Sequence, residues 1–240
     1  MGKYDSTLLG SEEIAKAARA FHFEKPEGFD FTPGQSIDLV LPEGFPGETG
    51  DRRRTFSVVS APHEDRLTIG TRMRKSAYKQ PLAEAEPGEN VRIVGPKGTM
   101  ALHDEPDRAI VMIAGGIGIT PFMSIIRNEA EQESPRPMAL LYSNHRPADA
   151  AYMDELRALE KRLDGFHMVA TMTALEDGDD WDGETRRIDA EMVEGAASGL
   201  PRPHYYIAGT PDMCEAMRQM LDDMGIADDD IHSEDFTGYT

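Results

Sequence analysis

The chain has 240 residues, enough for one large domain or two of ordinary size, and carries a formal net charge of −19. That charge argues against nucleic acid or a membrane surface as partner, because holding phosphates needs clustered Lys and Arg. One cysteine, Cys214, excludes an internal disulfide and a cysteine-ligated iron–sulfur cluster within the chain, and the seven histidines lack metal-ligand spacing, so no metal is expected.

Up to about residue 104, short β-type segments alternate with Pro and Gly turns. The expected strands are residues 20–23, 36–41, 55–60, 66–73 and 91–94, with a short helix over 76–85. Many short strands at this spacing predict an antiparallel barrel. Residues 11–20, rich in Ala, Glu and Lys, favour a helix on propensity alone. After residue 104 the rhythm changes. The continuous apolar run 109–114 reads as a strand buried on both faces. Thr120 and Pro121 then open a helix to about 131, with Thr120 as N-cap and Pro121 at the first helical position. Strands follow at 138–142, 166–173 and 205–208, and helices at 148–163, 189–197 and 211–224, the second helix with Met153, Leu156 and Leu163 on one stripe. Strands alternating with helices imply right-handed βαβ units and a parallel sheet. The expected architecture is therefore two domains, an antiparallel β-barrel over 1–104 and an α/β parallel-sheet domain over 105–240.

Gly115-Gly116-Ile117-Gly118-Ile119-Thr120-Pro121 follows the buried strand and begins a helix. Glycines permit a tight turn and close approach of a pyrophosphate to the backbone, while a helix N-terminus presents free N–H groups. The string departs from the Gly-x-Gly-x-x-Gly fingerprint, because Pro121 stands where the third Gly would be.

Gly-Gly-x-Gly-x-Thr-Pro resembles the nucleotide loop of the ferredoxin–NADP⁺ reductase family, and Arg54-Thr55-Phe56-Ser57 resembles its flavin motif, Arg-x-Tyr/Phe-Ser. Pro33-Gly34-Gln35, Gly95-Pro96-x-Gly98, Ala208-Gly209-Thr210-Pro211 and Glu234-Asp235-Phe236 agree in order, so the resemblance spans essentially the whole chain. It implies β structure over residues 11–23, against propensity. It also implies that Arg54 meets the flavin pyrophosphate, that Thr55 and Phe56 lie along the flavin, and that Ser57 places its hydroxyl near flavin N5. Thr71, Arg72 and Met73 fall on the next flavin-contacting strand, and Ser76 and Lys79 at the following phosphate site, where the family often has Gly-x-x-Ser. Gly115, Gly116, Gly118, Thr120, Pro121, Gly209 and Thr210 would cradle the nicotinamide nucleotide. Ala208 stands where many relatives carry Cys, and Cys214 should not inherit that role. Glu234 would lie near the reacting rings, and Phe236 or Tyr239 would cover the isoalloxazine.

The expected activity is hydride transfer from NADPH or NADH to FAD, favoured over FMN, with Ser57 and Glu234 as the catalytic pair. Electrons would pass to a separate carrier such as a ferredoxin, flavodoxin or oxygenase component. Docking would use a basic patch among Arg52, Arg53, Arg72, Arg74, Lys75 and Lys79. Ser143 and Arg146, after the second strand of the parallel sheet, bear on the choice of nucleotide, because a 2′-phosphate needs cationic or hydroxyl partners. Alternatives are a diaphorase acting on free flavin, quinone or ferric chelates, and a non-catalytic nucleotide-binding subunit. With no signal-peptide pattern at the start, a cytoplasmic monomer is expected.

Overall fold

A computed structural model describes residues 1–45, 52–132 and 135–236. β1 (Gly2–Ala15) and β2 (Ala18–Glu24) form an antiparallel hairpin that turns at Lys16 and Ala17, the latter with φ of 55°. The helical propensity of residues 11–20 loses because pairing decides it. The first half of β1 bonds to a later strand and the second half to β2, so both stretches have partners. Leu8, Phe21 and Phe23 are thereby buried. The first nine residues of this hairpin, 2–10, carry no strand expectation from the sequence.

β3 (Ser36–Val40), β4 (Arg53–Ser57), β5 (Arg66–Arg72), α1 (Lys79–Glu84) and β6 (Asn90–Lys97) complete the first half. β4 ends at Ser57 rather than residue 60, and the helix expected at 76–85 is shorter. The six strands run β4-β3-β6-β1-β2-β5, and a bridge between Val58 and Ile69 brings the two edges together into a barrel. Phe21, Phe23, Phe29, Ile37, Leu39, Leu67 and Ile93 fill it.

The second half is a parallel sheet of β7 (Ile110–Gly115), β8 (Met138–Asn144), β9 (Phe166–Met172), β10 (His204–Gly209) and β11 (Ile231–Asp235), in the order β11-β10-β7-β8-β9. α2 (Ile119–Glu129) and α3 (Met153–Arg162) cover one face, where Ile110, Met112, Ala114, Leu140 and Tyr142 point. α4 (Ala190–Ala197) and α5 (Pro211–Asp223) cover the other, over Val111, Ile113, Ala139 and Leu141. β11 carries no strand expectation, because its sequence, Ile-His-Ser-Glu-Asp, offers no apolar run. The helix expected at 148–163 is broken. A 3₁₀ turn at Pro147–Asp149 precedes Tyr152, whose φ of 60° interrupts the path before α3, and Leu156 and Leu159 form its buried stripe.

The α2 face also carries the barrel. Ala18, Val59 and Met100 join its core, Ser124 Oγ donates to Ser60 O at 2.8 Å, and Lys16 N donates to Ala148 O at 2.7 Å. Among the described residues, no helix is long and apolar enough to cross a membrane.

At the far end of the sheet three histidines stack. Ring centroids of His103 and His204 are 3.7 Å apart, and those of His204 and His232 are 5.4 Å apart. His103 Nδ1 lies 2.8 Å from Tyr206 Oη, Glu105 and Asp230 flank His204 at 3.6 and 3.5 Å, and Arg108, Arg136 and Arg218 stand near. Burial holds all three imidazoles below their ordinary pKa, His103 at about 4, helped by neighbouring His204 and Arg136. The unfolded chain takes these protons near 6.5 and the folded chain does not. Stability is therefore full above that value and is lost as pH falls toward 4. The melting temperature should drop by several degrees across this window, and His103→Gln should flatten part of the slope. An unchanged slope in that variant would remove the cluster from the account.

Candidate functional site

β7 and β10 are neighbours at the centre of the parallel sheet, and the chain leaves them in opposite directions. Such a switch point opens a crevice beyond the carboxyl ends of the strands. Here both strands end in glycine, Gly115 and Gly209. A Cβ on Gly118 would lie 2.2 Å from Ala208 O, and one on Gly115 would lie 2.2 Å from Met213 Sδ. Gly116 has a φ of 53°, within the region that favours glycine. The loop therefore lies directly on the sheet edge, as a glycine-rich nucleotide turn must.

A 3₁₀ turn, Gly116–Gly118, leads into α2. Thr120 is not the N-cap: it sits in the first turn, 3% exposed, and its hydroxyl donates to Ile117 O at 2.9 Å. Gly118 holds the cap position instead, so Pro121 is the third helical residue, where its missing N–H still costs no helical bond. Thr210 caps α5 and accepts from Met213 N.

A cavity of about 480 Å³ lies over these strand ends. Gly115, Gly116, Ser143, Gly209 and Thr210 line it from the sheet, and Arg72 and Arg74 line it from the barrel. A Cβ on Gly116 would be 3.7 Å from Arg72 Nη2, so the two halves meet at the loop. Phe236 closes one side; its N–H donates to Gly209 O at 2.9 Å. Tyr239 lies outside the described residues.

The barrel side gathers positive charge. Asp38, 2% exposed, accepts from Thr55 Oγ1 at 2.6 Å and Arg53 Nε at 2.8 Å, and it pairs with Lys97. Burial alone would raise its carboxyl, but the bonds from Lys97, Thr55 and Arg53 hold it below the usual range. Asp38 thus anchors the strand that carries Arg54. The Arg54 guanidinium lies 5.6 Å over the Tyr78 ring. Phe56 is 6% exposed and packs into the barrel core, 6.0 Å from the same ring. Met73 N donates to Ala17 O at 2.6 Å, and Ser76 Oγ accepts from Lys79 N at 3.0 Å. Thr71 is fully buried on β5, and Lys79 Nζ donates to Arg72 O at 2.8 Å. Burial, with Arg74 and Arg54 close by, pushes the Lys79 amine down to about 8.

Ser57 Oγ and Glu234 Oε2 are among the buried side-chain polar atoms that have no hydrogen-bond partner among the described residues. Glu234 pairs in register with Ala208 on β10, and burial and Asp235 raise its carboxyl while Lys97 opposes them. Cys214 is buried, with its thiol pushed up to about 11 chiefly by desolvation. Arg146 turns to carboxylates, donating to both oxygens of Asp179 at 2.9 and 2.8 Å. Asp38, Tyr78, Lys97 and Arg187 escaped sequence reading, because nothing in their local strings marks them.

A glycine-rich loop at a switch point, facing Arg72 and Arg74, fits a phosphate-bearing dinucleotide, and the partnerless Ser57 hydroxyl and Glu234 carboxyl fit a further nucleotide, a flavin. Residues 112–219 match the oxidoreductase NAD-binding domain family. The chain is 29% identical to ferredoxin–NADP reductase B of Sorangium cellulosum, over 96% of both chains. It is 27% identical to the reductase component of propane 2-monooxygenase of Mycolicibacterium smegmatis, over 89% of this chain but 61% of that protein. A Neisseria gonorrhoeae ferredoxin–NADP⁺ reductase with bound FAD and NADP superposes with a TM-score of 0.81 at 23% identity, over 97% of this chain and 98% of that one. The second half is thus an oxidoreductase NAD-binding domain, set in a two-domain fold shared with the Neisseria reductase. Over nearly its whole length the chain resembles a ferredoxin–NADP⁺ reductase.

Overpacking the loop should be costly. Gly118→Ala drives a Cβ into the Ala208 carbonyl, with an expected loss of about 1–3 kcal/mol in urea denaturation. A neutral result would mean that the loop can retreat from the sheet.

Proposed function

We propose that this chain, acting as a monomer in the cytoplasm, oxidises NADPH or NADH through FAD and passes the electrons to a separate redox protein. The observation that carries this reading is the glycine-lined cavity at the switch point, which adjoins the cation cluster of the barrel. Similarity to a ferredoxin–NADP reductase and to an oxygenase reductase component supports an electron carrier or oxygenase component as acceptor.

Arg54, Lys79 and Arg74 hold the flavin diphosphate, Arg54 through its planar fork and Lys79 as a point charge. Thr55, Phe56, Thr71, Arg72, Met73 and Ser76 shape that site. Gly115, Gly116, Gly118, Thr120 and Pro121, with Gly209 and Thr210, position the nicotinamide nucleotide through backbone N–H groups. Bound FAD supplies the chemistry, accepting a hydride and releasing electrons to the acceptor. Ser57 Oγ has a hydrogen bond to give at this site, and Glu234 holds a proton more readily than an exposed carboxyl. Phe236 keeps water from the cavity.

Purified protein should be yellow and should bleach anaerobically with NADPH or NADH; a colourless protein that rejects added FAD would sink the reading. Arg54→Ala should lose flavin while remaining folded by circular dichroism. Ser57→Ala should keep its flavin and slow its reduction about tenfold, the worth of one hydrogen bond. Flavin affinity should fall as pH rises through about 8, where Lys79 loses its proton. A Lys79→Met variant should lack that dependence, and a persistent slope would assign it elsewhere.

A further inference from the structure

The loop after β8 borders the cavity and contains one fixed cation, Arg146. In sheets of this kind, a cation beyond the second strand accommodates a 2′-phosphate, whereas a carboxylate there accepts the ribose hydroxyl. Arg146 is committed. Its Nε and Nη2 donate to Asp179 Oδ2 and Oδ1 at 2.9 and 2.8 Å, and its Nη1 donates to Glu176 Oε2. Glu176 N in turn donates to Asp179 Oδ2 at 2.9 Å, so the acidic loop is internally braced. That loop is also tied to the cavity rim through its backbone. Thr173 N donates to Asn144 O, and Ala174 N donates to His145 O, both at 2.9 Å.

We propose that Glu176 and Asp179, by holding Arg146 in a closed ion pair next to the cavity-lining Asn144 and His145, select NADH over NADPH. The inference rests on the reductase reading and specifies its nucleotide. One guanidinium between two carboxylates leaves the cluster at net −1. A 2′-phosphate dianion would have to break a two-pronged pair and then sit beside both released carboxylates. A ribose 2′-hydroxyl meets no such penalty, and a carboxylate oxygen can accept from it. The exclusion works by repulsion rather than by a better fit to the chosen ligand. The Asp179 carboxyl is held below the usual range, first by its hydrogen bond from Arg146, so the pair stays charged through neutral pH. Arg187 also lines the cavity and makes no ion pair with another described residue. It attracts the phosphates common to both nucleotides.

The test compares the flavin-loaded wild type with Glu176→Gln and with Glu176→Gln/Asp179→Asn. Steady-state oxidation of NADH and NADPH is measured, and binding of 5′-ADP and 2′,5′-ADP is followed by calorimetry. Wild type should favour NADH at least tenfold in kcat/KM and bind 2′,5′-ADP no tighter than 5′-ADP. The double variant should tighten 2′,5′-ADP at least tenfold and shift the nucleotide ratio by a similar factor, mainly through the KM for NADPH. Glu176→Gln, at an exposed position, should give a smaller change in the same direction and guards against misfolding of the double variant. Arg187→Ala should weaken both nucleotides together. The inference falls if wild type prefers NADPH, if freeing Arg146 leaves 2′,5′-ADP binding unmoved, or if Arg187→Ala weakens NADPH alone. Failure of both nucleotides to reduce the flavin would instead overturn the reductase reading, and this inference with it.

Discussion

The molecule is organised around a place where two strands meet without side chains. β7 and β10 both end in glycine, and the turn after β7 lies so close to β10 that a single methyl at Gly118 would strike the Ala208 carbonyl. Backbone contact of this kind cannot be relaxed by turning a side chain. It fixes where α2 begins, and α2 in turn carries the contacts to the barrel through Ser124 and its apolar face. The position of the barrel's cations over the sheet edge follows from that one approach.

Charge is distributed with the same economy. A chain of net −19 concentrates Arg54, Arg72, Arg74 and Lys79 on the barrel side, and a buried carboxylate, Asp38, anchors the strand that presents Arg54. Nearby positive charge and burial weaken the hold of Lys79 on its proton, which an anionic ligand would restore. In the loop that follows β8 the signs are reversed. Arg146 is surrounded by acid and has no charge to spare.

The parts of the fold visible in the sequence were those with local causes. Residues 109–114 read as a doubly buried strand because every residue is apolar, and β7 covers that run. Ile37 and Leu39 of β3, by contrast, share their strand with buried Asp38, whose role no local pattern reveals. Failures occurred where a distant partner decided. β1 is helical by propensity over its second half, yet β2 and β6 claim its backbone. Thr120 and Pro121 read as a helix start, but the helix begins two residues earlier because the 3₁₀ turn of Gly116–Gly118 runs directly into it. Tyr152 breaks a stretch whose composition suggests a continuous helix.

By itself, the sequence determined the two architectures and their order and marked the two motifs, because periodicity, turn residues and glycine content act over a few positions. Tertiary structure decided which charges are available. Whether Arg146 can meet a phosphate depends on Asp179, thirty-three residues away, and whether Ser57 and Glu234 lack partners depends on what packs around them. Electrostatic pairing and desolvation act through space, so the residues that set them leave no mark on the strings where the chemistry is written.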